Sequence, residues 1–447
     1  MSNQSKQWGA IIVMIALFAM IAFVTNLCSP MAVIVKNQFG ASNLQSQIGN
    51  YGNFIAYLIM GIPAGMLLKK VGYKRTALIA LLVGIVAVTI QYMSGWESMA
   101  DFAFWVYLIG AFIGGLCMCM LNTVVNPMLN ILGGGGNKGN QLIQIGGVFN
   151  SAAAVAVYII MGALIGEATK AKVEDAAPAL FIALGIFVVA FIVILFTKID
   201  EPERADLKKI EEKEHAKAAP KGEKDKYSAF SFRHFKLGIL AIFLYMGIEV
   251  GVPTYILQYL TAAKDAATPG LGMDAGIVGL IVAVYWLMML VGRFVGGMIG
   301  GKVSSRQMIT VVSIASMALI LFGMFAPEST TVNIPGIDWA NLEVIWAEVP
   351  VGIFAFILVG LCTSVMWGGI FNMAVEGLGK YTAIASGAFM TMVFGCAVMV
   401  AIQAWVADIT TSYMISYFVP LACAAYILFY ALIGSKNVNK DIPVEGV

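Results

Sequence analysis

Apolar residues run through this chain in blocks of twenty or more, each closed by a short cluster of charge, glycine or proline. About 20 consecutive apolar residues let a helix cross a hydrocarbon core of roughly 30 Å. Windows of that length place twelve spans near 9–35, 47–68, 76–95, 103–132, 140–165, 178–198, 237–261, 275–299, 308–326, 350–374, 383–407 and 413–434. The first block is followed by eleven like it rather than by a cleavage pattern, so it reads as a span and not as a signal peptide. One stretch breaks the rhythm: 199–235 is rich in Lys, Glu and Ala and reads as a solvated cytoplasmic linker. The pattern predicts an all-α membrane protein of twelve transmembrane helices in two pseudo-symmetric six-helix bundles. The N-terminal bundle takes 1–198 and the C-terminal bundle 236–435, with a cytoplasmic tail at 436–447.

The two halves echo each other. Gly61-Ile-Pro-Ala-Gly65 leads into Lys69-Lys70 and on to Arg75 after the second span, and Gly292-Arg293-Phe-Val-Gly296 leads into Lys302 and Arg306 after the eighth. Small residues four apart let helices approach closely, so Gly61, Gly65, Lys70, Arg75, Gly292, Arg293 and Arg306 are expected in structural or gating roles. Arg293 is placed at the cytoplasmic end of its span, locking helices to a loop acid or a helix C-terminus. A second echo relates Asn126 through Gly133 to Asn372 through Gly379.

Charge sets the orientation. Lys69, Lys70, Lys74, Arg75, Lys138, Lys302, Arg306 and Lys380 fall in alternate loops, and the opposite loops are mostly acidic. The positive-inside rule then puts both termini in the cytoplasm, in a plasma membrane of the bacterial inner-membrane kind.

Composition narrows the chemistry. The chain is 60% hydrophobic and 12% charged, about half the charge of a soluble domain. Its net charge of +2 is too small to point to nucleic acid. The six cysteines lie in apolar segments, and the only histidines, His215 and His234, are assigned to the charged cytoplasmic stretch. No metal site, cofactor or disulfide framework is expected, and with no nucleophile–base set the chain is not read as an enzyme.

What remains is an unusual set of polar groups at bilayer depth. Glu249 lies in the middle of the seventh span, among Gly247, Gly251 and Pro253. A carboxylate there costs about 2.5–3.5 kcal/mol on insertion scales, and such groups mark function by default. The glycines and proline suggest a loosened helix. Asn26, Asn53, Asn122, Asn126, Gln144, Asn150 and Gln258 bring amides from five spans, and Tyr245, Trp286, Trp367 and Asn372 add rings and a further amide. Amides match hydroxyls in donors and acceptors, and aromatic faces cover the C–H side of a sugar ring. A lone amide serves equally well as interhelical glue.

The residues Ile62-Pro63-Ala64-Gly65-Met66, Asn126-Pro127, Phe149-Asn150-Ser151, Tyr245-Met-Gly-Ile-Glu249 and Gly292-Arg293-Phe294 resemble the major facilitator superfamily, within it the fucose:proton symporter branch with its glucose and galactose carriers. The resemblance implies a central sugar site between the bundles and alternating access by rocking. The chain departs from the branch at its acids: Ser29 stands where the first span usually has Asp, and Asn122 where the fourth has Glu or Gln. Leu142 and Gly147 replace the Arg and Gln that precede Phe-Asn-Ser. The expectation is a monomeric sugar importer in the lipid bilayer, coupled to a proton or sodium through Glu249. An uncoupled facilitator or an exporter of another small polar solute is the alternative.

Overall fold

A computed structural model describes residues 2–132, 136–165, 172–197, 227–299, 303–338, 343–378, 381–439 and 441–444. In lipid every backbone N–H and C=O must find a partner within the chain, which is why helices dominate. The first six are α1 (Ser2–Phe39), α2 (Ile48–Val71), α3 (Tyr73–Met93), α4 (Ala103–Leu132), α5 (Gly136–Ile165) and α6 (Ala177–Phe196). The second six begin with α7 (Arg233–Thr261), α8 (Ala275–Ile299) and α9 (Ser305–Phe325), followed by α10 (Val351–Val375). Then α11 starts as Thr382–Thr391, passes through a 3-10 turn at Met392–Phe394 and continues as Gly395–Thr410. The last, α12, is Tyr413–Gly434. We call the face holding the start of α1 and the end of α12 the terminal face, and the opposite one the distal face.

Eleven of these helices are long and apolar enough to cross a membrane. The twelfth, α2, has the length with 24 residues, but Asn50, Asn53 and the Lys69–Lys70 pair dilute its apolar content. Asn50 and Asn53 are buried, so the polar side of α2 turns into protein. The opposite extreme is α6, whose most apolar window is only 28% buried. It lies at the lipid-facing perimeter, with Phe196, Val189 and Phe181 exposed.

Several expectations change. The helix α7 begins at Arg233, so residues 233–235 belong to it and not to the linker. His234 is fully buried, its Nε2 lying 2.9 Å from the Glu376 carbonyl oxygen. The linker core 198–226 and the Gly133 turn at 133–135 fall outside the described residues. Between α9 and α10 the chain forms an antiparallel hairpin, β1 (Thr331–Asp338) and β2 (Glu343–Pro350), where only a loop was expected. Gly336 of β1 packs on Ile277 in the first turn of α8, so the hairpin lies across the distal end of that helix.

The repeated glycine motif is also asymmetric in structure. A Cβ on Gly292 would come within 2.2 Å of Ser364 Oγ and 2.8 Å of the Leu361 carbonyl oxygen, and one on Gly296 within 2.3 Å of Val365. These two glycines seat α8 on α10. Their counterparts do not seat anything: Gly65 has nothing within 4 Å, and Gly61 reaches only Thr391 Oγ1 at 3.6 Å. Just beyond them in that half Gly72, with a φ of 88°, makes the tight turn from α2 to α3. Gly292→Val is therefore expected to lower thermal stability by about 1–3 kcal/mol through overpacking, and Gly65→Val to leave it unchanged. Thermal unfolding of the purified variants checks the pair.

Where the halves meet, α5 and α8 approach to backbone contact. A Cβ on Gly279 would lie 2.3 Å from the Tyr158 carbonyl oxygen, and one on Gly162 would lie 2.7 Å from that of Ala275. Ser29 Oγ of α1 and Thr254 Oγ1 of α7, 3.1 Å apart, add a second crossing. The seam between these surfaces holds the polar groups.

Candidate functional site

Proline has no N–H, so Pro253 leaves the carbonyl four residues back, that of Glu249, without its helical partner. The expected consequence was a loosened helix, yet α7 runs unbroken from Arg233 to Thr261. The freed carbonyl is satisfied from α8: the Tyr285 hydroxyl donates to Glu249 O at 3.1 Å. Tyr417 of α12 donates to Val252 O at 3.2 Å. Two tyrosines from neighbouring helices thus bond carbonyls in the turn before Pro253.

The Glu249 side chain points at a base. Arg293 Nη2 lies 3.5 Å from Glu249 Oε1, and the two side chains are 17% and 13% exposed respectively. This corrects the placement of Arg293 against a loop acid or helix end. It sits six residues before the end of α8, and its long side chain reaches inward, as a cation in low dielectric must when its counter-charge lies deeper. Its stronger bonds cross the seam: Nη1 donates to Gly147 O at 2.9 Å and to Ser151 Oγ at 3.0 Å, both on α5. Tight ammonium- or guanidinium-to-carboxylate bonds measure about 2.7–2.9 Å. The guanidinium is therefore anchored to the first half, and its hold on Glu249 is looser.

Around this pair lie buried polar atoms that find no hydrogen-bond partner within the chain. They include Tyr245 OH and Trp286 Nε1, the latter facing the Tyr158 hydroxyl outside hydrogen-bond geometry; Asn53 Nδ2 on α2 and, nearer the distal face, Tyr51 OH, Tyr255 OH and Gln258 Nε2 are likewise unpaired. Leaving such a group unpaired costs about 1–3 kcal/mol, and native chains keep few of them without a reason. The Tyr245 hydroxyl lies beside the Glu249 carboxylate but outside hydrogen-bond geometry. Cys396 of α11 is within electrostatic range of Glu249, Tyr57, Tyr51 and Tyr158, which places these groups around one central region. Rings wall it: Trp286 stacks on Tyr158 across the seam at 6.3 Å, and Trp367 packs edge-on to Tyr245 at 6.2 Å and to Phe389 at 5.7 Å.

Of the residues singled out from sequence, Glu249, Tyr245, Trp286 and Trp367 are brought together here, with Asn53 and Gln258 also buried and unpaired. Others are engaged elsewhere. Asn26 Nδ2 donates to Ala22 O at 2.8 Å and Asn126 Nδ2 to Asn122 O at 3.2 Å, each within its own helix. Asn150 Nδ2 joins α5 to α1 through Phe18 O at 3.0 Å, and Asn122 Nδ2 joins α4 to α2 through Tyr57 OH at 2.9 Å. The Asn150 and Asn122 nitrogens act as interhelical glue, and those of Asn26 and Asn126 are spent on their own helices. Asn372 is exposed; five residues past Trp367 it stands about 140° around the helix from it. The side chain of Gln144 lies outside the described residues.

The basic residues of the echo sit at the terminal face. Lys70 and Arg75 are exposed, and Arg306 Nε donates to Ser435 Oγ at 3.3 Å. Lys74 donates to Leu195 O and Thr197 O, both at 2.9 Å, where a helix C-terminus attracts a cation.

Sequence reasoning missed the Glu249–Arg293 pair and Tyr158, and it counted Tyr285 among the cavity rings without foreseeing its bond to the Glu249 carbonyl. The pair had a signal. A single acid and a single base inside the predicted spans are each expensive alone, which is a reason to test them as partners.

Comparison with known proteins gives a consistent result. The model of the Major Facilitator Superfamily matches residues 13–401. The chain is 28% identical over 443 residues to a glucose/galactose transporter of Brucella abortus, covering 98% of this chain and 96% of that one. It is 21% identical over 453 residues to the L-fucose-proton symporter of Escherichia coli, covering 95% and 93%. Among solved structures it is similar to the fucose:proton symporter of E. coli, with a TM-score of 0.62 at 19% identity over 96% of this chain and 99% of that one. The inward open xylose transporter from E. coli gives 0.71 at 11% identity over 98% of both chains.

Proposed function

The chain belongs to the Major Facilitator Superfamily, and on that premise we propose that this membrane transporter imports a hexose-like or related neutral sugar by cation symport, a proton being the first candidate. One observation carries the reading. A carboxylate loosely paired with an arginine stands at the seam between the halves, surrounded by buried donors without partners and by aromatic rings. Sugar hydroxyls suit those donors, and relatives named for glucose, galactose and fucose transport support the substrate class. We assign the sugar to Asn53, Tyr245, Gln258, Trp286 and Trp367, and the cation to Glu249.

In this scheme Glu249 alternates between two forms. Ionised, it draws on Arg293 for its counter-charge; protonated, it needs none, and Arg293 rests on Gly147 O and Ser151 Oγ alone. Protonating Glu249 therefore leaves Arg293 charged and held by those two neutral acceptors, so each carried proton adds one positive charge to the site. Sodium at the same carboxylate is a close variant. We place the terminal face in the cytoplasm of a bacterial inner membrane, in line with the basic loops, and the division between bundles before α7, in 199–232.

A second reading, uncoupled facilitation, draws on the first half. Ser29 and Asn122, at the branch's usual acidic positions, are neutral and occupied with Thr254 and Tyr57. Uptake of labelled hexoses into proteoliposomes separates the readings. Under an imposed inward proton gradient, or separately a sodium gradient, symport concentrates sugar above its outside level. Filling only to equal concentration under both gradients would favour the facilitator, and no uptake of any sugar would remove both.

A further inference from the structure

The distal face carries a second polar network across the seam, separate from the transport site. After α1 the chain turns into the short helix Asn43–Ser46, capped by Ser42. Asn43 is buried there and uses its whole side-chain capacity, two donors and two acceptor positions. Its Nδ2 donates to Asp408 Oδ1 at 2.7 Å and to Thr268 Oγ1 at 3.0 Å. Its Oδ1 accepts from Lys36 Nζ at 2.7 Å and from the Tyr413 hydroxyl at 2.9 Å. The same Asp408 carboxylate accepts the backbone N–H of Asn43 at 3.1 Å and that of Leu44 at 2.9 Å. Lys36 belongs to the first half, as Asn43 does; Asp408, Tyr413 and Thr268 belong to the second.

We propose that Asn43 is a latch, clasped by Asp408, Tyr413 and Thr268, that holds the distal mouth closed and sets how often the carrier opens to that side. Three features support this. The bonds join the halves at the rim, where rocking must separate them. Three of them end on one carboxylate, and charge-assisted bonds are about twice as strong as neutral ones. Beneath them lie Tyr51 and Tyr255, buried with unpaired hydroxyls, which opening of the mouth would wet. The latch touches neither Glu249 nor Arg293. It positions the halves and does not bind the substrate.

The test uses the purified full chain and a thiol reporter, Gln47→Cys, at a buried position one turn beyond Asn43. The six native cysteines are buried, and the protein without the reporter supplies the background. Asn43→Asp places like charge against Asp408 and removes the two donors, and Asp408→Ala removes the clasp. Each is expected to speed maleimide labelling of the reporter about tenfold or more, the scale of losing hydrogen bonds to a charged group. The exchange Asn43→Asp with Asp408→Asn restores a donor–acceptor pair and is expected to slow labelling again, which general loosening would not do. Thr268→Val deletes one bond and Tyr413→Phe two, its donation to Asn43 Oδ1 and its acceptance from Lys36 Nζ; both keep shape and are expected to speed labelling several-fold even where the charge changes damage the fold. Unchanged labelling in Tyr413→Phe and Thr268→Val, or an exchanged pair as fast as either single variant, would overturn the proposal.

Discussion

Arg293→Leu is expected to abolish sugar uptake and to destabilise the protein by roughly 3–5 kcal/mol, the range for removing one partner of a buried ion pair. Two losses combine. Glu249 must either ionise with no counter-charge or stay protonated and leave the coupling cycle, and the bonds from α8 to Gly147 O and Ser151 Oγ disappear. A double variant, Glu249→Gln with Arg293→Gln, separates them. It removes both charges together, so most of the thermal stability should return while gradient-driven accumulation stays absent. If the double variant is no more stable than Arg293→Leu, the α5 bonds and not the charge account for the loss. Thermal unfolding and uptake on the same preparations read both quantities.

Glu249→Gln alone should uncouple the carrier without stopping it. Glutamine keeps the shape and the hydrogen-bonding capacity but cannot exchange a proton. Arg293 remains tied to α5 in the variant, so the stability loss should be smaller than for Arg293→Leu. One pH unit is worth about 1.36 kcal/mol, which at one proton per sugar sustains about tenfold accumulation. In Glu249→Gln that ratio should fall to about one, while exchange of labelled for unlabelled sugar persists. Accumulation undiminished in the variant would remove Glu249 from coupling.

The membrane fold was legible because span length is a physical requirement, and apolar runs of that length have few other uses. The hairpin of β1 and β2 was not. Val344 and Trp346 point away from the packed face while Ile345, Ala347 and Val349 point toward it, so apolar residues occupy both faces and no clean alternation shows. Glu249 stood out as an acid in the wrong solvent, but its partner did not. Arg293 lies in a motif that reads as a helix end, and sequence position does not say that a side chain this long extends toward the middle. Asp408 was overlooked for a related reason: it falls one residue past the predicted end of the eleventh span and passes for a loop charge. The amides divided according to neighbours that only the packing reveals. Asn26 and Asn126 turn back on their own helices, and Asn53 stays unpaired.

The two devices do different work in this account. The latch at Asn43 governs how often the distal mouth opens, and the Glu249–Arg293 pair governs whether a cation must accompany the sugar. Latch variants should therefore change rates while leaving the accumulation ratio in place, the reverse of Glu249→Gln.

The coupling role of Glu249 is tested most directly by following external pH as sugar is added to proteoliposomes in sodium-free buffer. The native chain should take up a proton with each sugar and make the medium alkaline. Glu249→Gln should give no pH change while still exchanging labelled sugar. An alkaline shift of the same size in Glu249→Gln would contradict the account.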